Sequence, residues 1–120
     1  MTTRFQVKAA GGPPSGLYRA KFVGVEETEH AEFGPGLRFN FEVIDPGEHF
    51  AEVASRICAA VPTMRNATGR LLAQITGKPL VAGETIDVEP FIGRVYLIQV
   101  EDVASGSTRV ATAMAANPNG

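Results

Sequence analysis

The 120-residue chain has no tryptophan, one cysteine and two histidines. No apolar run reaches the roughly 18 residues a membrane-spanning helix needs, so a helical span is excluded. A lone Cys58 can form no disulfide within the chain, which suits a reducing compartment. Its neighbours Ile57 and Ala59 mark it as a small buried hydrophobe. His30 and His49 sit apart in polar loops, and no clustered Cys and His offer a zinc site. There is no glycine-rich phosphate loop ending in Lys and Ser or Thr, and no nucleophile elbow. These absences argue against an enzyme, and no metal or cofactor is expected. Met1–Phe5 lack the apolar core of a signal peptide, so a cytoplasmic protein is expected. A formal net charge of −2 removes the strongly basic footprint of the most obvious nucleic-acid binders.

The charges that are present are segregated. Glu26, Glu27, Glu29 and Glu32 crowd one short stretch, whereas residues 53–83 carry Arg56, Arg65, Arg70 and Lys78 and no acid. Such separation can give a slightly acidic molecule a positive face.

Thirteen glycines and eight prolines divide the chain into short elements. Residues 1–16 end in Gly11-Gly12-Pro13-Pro14-Ser15-Gly16 and read as a flexible arm, with the folded domain at 17–114 and a frayed end at 115–120. Leu17–Glu27 alternates Tyr18, Ala20 and Phe22 with Arg19, Lys21 and Val23, the period of a half-buried strand, with Gly24 as a bulge. Leu37–Val43 repeats the pattern more cleanly, Phe39 and Phe41 alternating with Arg38 and Asn40. A turn at Asp45-Pro46-Gly47-Glu48 leads to a third strand over about His49–Cys58. Its Val53, Ser55 and Ile57 oppose Ala54 and Arg56, and Arg56 is assigned to the outer side.

From Pro62 the period becomes helical. Met64, Ala67, Leu71, Leu72 and Ile75 share one face, Thr63 is placed as the N-cap, and Gly77 and Pro79 end the helix. An interior Gly69 costs such a helix about 1 kcal/mol. A short strand over Thr85–Glu89, an apolar strand over Phe91–Glu101 interrupted by Gly93, a turn at Ser105-Gly106-Ser107 and a closing strand Thr108–Met114 complete the chain.

Three strands, a helix and two further principal strands predict an all-β fold with one helix: a five-stranded Greek-key barrel of the OB-fold kind. Met64, Leu71, Leu72 and Ile75 would plug its bottom. A β-sandwich with a stray helix is the alternative, but it normally needs more strands. Gly16-Leu17-Tyr18-Arg19-Ala20, Leu37–Phe41, Pro62–Arg65, Leu71–Lys78 and Phe91–Arg94 together resemble landmarks of small phage-type proteins. Several of that group resemble OB-fold single-stranded-DNA-binding proteins. The resemblance spans residues 16–114 and rests on turn glycines and apolar positions. It implies single-stranded DNA, or RNA, as partner, a role in replication or recombination, and the host cytoplasm for a phage-encoded chain. Two departures stand out. Nothing after Asp102 is acidic, so recruitment of replication proteins through an acidic tail is not expected, and the chain has no tryptophan to stack on bases.

Single strands are held by a positive groove for phosphates and flat side chains for bases. If Phe39 and Phe41 face inward, Arg38 and Asn40 face outward, as do Arg19 and Lys21 on the first strand. With Arg56 these would share one surface. Phe33, in a loop where no core periodicity holds it, and Phe50, at the start of the third strand, are the stacking candidates, and Arg65 adds charge at the helix start. Arg70 is assigned away from the groove. The same outward residues suit an ordinary solvated strand face. Phe33 and Phe50 would equally anchor a protein partner in a non-catalytic interaction or structural barrel. The first and last strands offer edges through which a homodimer could form.

Overall fold

A computed structural model describes residues 13–32, 34–104 and 106–115. Its elements are β1 (Gly16–His30), β2 (Gly34–Val43), β3 (Val53–Ala59), helix α1 (Ala67–Thr76), a 3-10 turn (Glu89–Phe91), β4 (Val95–Asp102) and β5 (Thr108–Ala115). The strands form one antiparallel sheet in the order β3-β2-β1-β4-β5. The fold is all-β with a single helix among the described residues, OB-fold-like in strand order and in the position of that helix. The sheet curls but does not close: β3 and β5 approach with no ladder between them.

β1 makes the curl possible. Its first part pairs with β4 (Gly16–Lys21) while Ala20–His30 pairs with β2, so one strand belongs to both halves. Between Phe22 and Gly24 the β2 register slips by one residue, leaving Val23 as the extra residue of a bulge. Gly24 has φ +129°, a conformation that L side chains rarely adopt. The bulge resets the alternation, so Val25 as well as Phe22 turns toward the core.

The core is built on Phe22, Phe41 and Tyr96, whose ring centroids lie 5.4–6.5 Å apart, with Phe39 and Ile98 beside them. Each such ring contributes about 1.5–3 kcal/mol by leaving water. Leu71, Leu72 and Ile75 of α1 close the bottom, and the buried Tyr96 hydroxyl donates to the Ile75 carbonyl at 2.6 Å.

Several expectations are corrected. Ala54 and Cys58 are buried while Val53 and Ile57 are 44% and 59% exposed, so β3 has the opposite phase to that expected. Arg56, sharing the parity of Ala54 and Cys58, therefore points to the inner side of β3. The third strand begins at Val53 rather than near His49, after a turn in which the Ala51 amide donates to the Val43 carbonyl. The helix is capped by Asn66, whose side chain accepts from the Gly69 amide, and not by Thr63. Thr63 instead accepts from the amides of Arg65 and Asn66 in the turn before the helix. Met64 lies outside the helix and is 68% exposed.

Residues 85–89 form no strand. Ile86 and Val88 pack against the core, but β1 already has β2 and β4 on its two sides and offers no ladder. Gly93, with φ +92°, sits in the turn before β4, whereas the irregularity of the β4–β5 ladder falls at Gln99/Val100. Residues 13 and 14 also bond to the sheet. Pro13 is buried, its carbonyl accepts from the Thr108 hydroxyl, and that of Pro14 accepts from the Tyr18 hydroxyl.

Candidate nucleic-acid interface

Because Ala20, Phe22, Phe39 and Phe41 turn inward, their neighbours on β1 and β2 line the outer face. The ladders set these side chains in three rows. Lys21, Glu42 and Val53 lie across β1, β2 and β3 at one end, and Glu26, Arg38 and Ile57 at the other. Gly24, Asn40 and Ser55 lie between them. Arg38, Asn40 and Lys21 thus share the surface expected of them.

Their electrostatics differ from expectation. Lys21 Nζ is 3.3 Å from Glu42 Oε1, and Arg38 Nη1 is 3.9 Å from Glu26 Oε1. Asn40 Nδ2 donates to the same Glu26 oxygen at 2.7 Å. Arg19 is held more firmly: its backbone amide and its Nε donate to the two Asp45 oxygens at 2.8 and 2.9 Å. The amide bond first, then the guanidinium bond, keeps the Asp45 carboxyl below its ordinary pKa. Every described cation of this face therefore stands beside a carboxylate, and the face is charge-balanced instead of positive.

Arg56 has left the face altogether. Its side chain is 13% exposed in the seam between β3 and β5, where Nη1 donates to the Val110 carbonyl at 3.2 Å and lies 3.8 Å from Glu101 Oε1. That oxygen also accepts from Arg109 Nε at 2.7 Å. Arg65 is exposed on the approach to α1, outside the three rows, and its carbonyl accepts from Arg70 Nη1. Phe50 is 60% exposed in the β2–β3 connection, three residues before Val53. Phe33 lies outside the described residues.

Sequence reasoning missed Val53 and Ile57, the exposed apolar members of this face. β3 carries apolar residues at both parities (Val53 and Ile57, Ala54 and Cys58), so its alternation has no readable phase.

A cavity of about 250 Å³ lies away from this face, lined by Val25, Leu37, Phe39, Leu72, Ile86 and Val88, with Pro62 and Glu84 at its wall. Glu84 is its single ionisable group and stands 3.9 Å from Lys78 Nζ. Burial pushes the Cys58 thiol above its ordinary pKa, which disfavours the reactive thiolate. Among the described residues, no group of three or more His, Cys, Asp or Glu could hold a metal ion, and no helix is long and apolar enough to cross a membrane.

No protein-family model, curated protein or solved structure matches the chain.

Proposed function

We propose that the protein binds single-stranded nucleic acid, single-stranded DNA in the first instance, across the outer face of β1–β3 and without sequence preference. The observation that carries this reading is the composition of that face. Lys21, Arg38 and Asn40 stand beside exposed Val53 and Ile57 on the strands over which OB-folds hold oligonucleotides. Arg38, half-exposed and 3.9 Å from its carboxylate, can exchange Glu26 for a phosphate. Arg19 and Arg56 are committed to structural bonds and take no part. The resemblance to small phage-type single-strand binders points the same way.

Carboxylate pairing makes the interaction weak. Two exchangeable cations, Lys21 and Arg38, release about two counterions, so log K should fall against log salt with a slope of about −1.4. Fluorescence anisotropy of labelled oligo-dT tests this. Micromolar binding that falls about sevenfold between roughly 50 and 200 mM salt is expected. No binding at tens of micromolar protein removes the reading.

Exposed Val53 and Ile57 on a charge-balanced surface, with an exposed Phe50 in the adjoining β2–β3 connection, favour a second reading, a non-catalytic module that docks another protein. Salt-insensitive capture of a protein partner by this face, with no oligonucleotide binding, would establish it.

A further inference from the structure

We infer that the outer face of β1–β3 is complementary to itself and pairs two copies of the chain face to face. The inference comes from the arrangement of the rows and goes beyond the nucleic-acid reading. Lys21, Glu42 and Val53 at one end are answered at the other by Glu26, Arg38 and Ile57, with Asn40 and Ser55 at the centre. Along each of β1 and β2 the sign of the charge inverts across that centre, while β3 carries an apolar residue at both ends.

A two-fold axis parallel to the face, perpendicular to the strands and passing over Asn40 and Ser55, lays each strand over its own counterpart with the ends exchanged. Glu42 then faces Arg38 of the second copy, Lys21 faces Glu26, and Val53 faces Ile57, each pairing occurring twice by symmetry. An axis along β2 would instead set Glu42 on Glu42 and Arg38 on Arg38, like charge on like. The charges therefore select one of the two orientations.

The partial exposure of all these groups, 36–61% for the four charged side chains and 44% and 59% for Val53 and Ile57, leaves them area to cover. The rows span three strands at about 4.8 Å spacing, well under the roughly 800 Å² per partner of a standard interface. The dimer is accordingly transient. It covers Arg38 and Lys21, so self-association and any ligand on this face exclude one another.

Sedimentation velocity over a concentration series tests the pairing without any ligand. Wild-type protein should show a reversible monomer–dimer equilibrium at about 50 mM salt that weakens as salt screens the charges. Arg38→Glu sets a carboxylate against Glu42 in both symmetry-related contacts, and Glu42→Arg sets a guanidinium against Arg38. Each variant alone should lose at least about tenfold in association. Mixed, the two variants restore both contacts with opposite charges and should form a heterodimer at wild-type strength, which a misfolded variant could not do. A wild-type monomer at all concentrations overturns the inference, as does a mixture that stays monomeric. Oligo-dT titrations of the same samples keep the readings separable. A rescued heterodimer without oligonucleotide binding defeats the nucleic-acid proposal alone, and binding by a strict monomer defeats the dimer alone.

Discussion

Arg56 and Val110, 54 residues apart in the chain, are joined by a guanidinium-to-carbonyl hydrogen bond of 3.2 Å across the seam where β3 and β5 meet without a ladder. With Glu101 beside the same guanidinium, the side chain does in one place what a closing row of backbone hydrogen bonds does in a complete barrel. A cation read from the sequence as a ligand for phosphate is thereby part of the scaffold.

Removing it should be costly. A hydrogen bond from a charged group contributes about 1.5–3 kcal/mol, and truncation also leaves the Val110 carbonyl without this donor. Arg56→Ala is expected to lower the unfolding free energy by about 2 kcal/mol in urea titrations. Arg109→Ala, which removes a 47%-exposed partner of the same Glu101, should cost less than about 1 kcal/mol. Equal effects of the two variants would mean that the seam contact is worth no more than an exposed ion pair.

Gly69 reverses a sequence-based expectation. Inside an exposed helix, Gly→Ala stabilises by up to about 1 kcal/mol. Here a Cβ at position 69 would lie 1.7 Å from the Thr63 carbonyl oxygen, so the glycine admits the turn that leads into α1. Gly69→Ala should destabilise by more than about 2 kcal/mol as that turn is displaced. Tyr96→Phe, which leaves the Ile75 carbonyl without its buried hydroxyl donor, should cost about 1–2 kcal/mol. Thermal melts of both variants check the pair, and a raised Tm for Gly69→Ala would contradict the close approach.

Much of this architecture could be read from the chain, for identifiable reasons. The alternation in Leu37–Val43 has large aromatics at one parity and polar groups at the other, which fixes both element and phase. The Leu71, Leu72 and Ile75 spacing fixed the helix and its buried side. The N-cap is not legible in the sequence because Thr63 and Asn66 both make bonds typical of a cap, and only the backbone distinguishes the turn from the helix start. The charge pairs were invisible for a different reason. Glu26 meets Arg38 through a ladder whose register depends on the Val23 bulge, a backbone event that Gly24 permits but does not specify.

Acid should weaken the fold in part through Asp45. Its carboxyl is held below the ordinary value of 3.8 by the Arg19 amide and guanidinium. A depressed folded-state pKa contributes stability that is fully present above the unfolded value and is lost as pH falls through the folded value. Wild-type stability should therefore decline below about pH 4. Asp45→Asn, less stable at neutral pH, should show a flatter profile there. Denaturation midpoints measured from about pH 3 to 7 give the comparison, and parallel curves for the two proteins would assign the acid sensitivity to other carboxylates.

If the outer face binds single strands, the two arginines nearest to it should behave differently. Arg38 is loosely paired and Arg19 is tied to Asp45 through both side chain and backbone, although both are exposed enough to meet a phosphate. Arg38→Ala should weaken oligo-dT binding about three- to tenfold and reduce the salt slope by about 0.7, one phosphate contact. Arg19→Ala should leave both nearly unchanged while lowering stability through the lost Asp45 bond. Arg65→Ala, outside the three rows, should bind as the parent does. Normal binding by Arg38→Ala together with a defect in Arg65→Ala would move the ligand to the approach to α1 and off β1–β3. The slope carries more weight than the affinity, because loss of a phosphate contact changes it and a small structural perturbation does not.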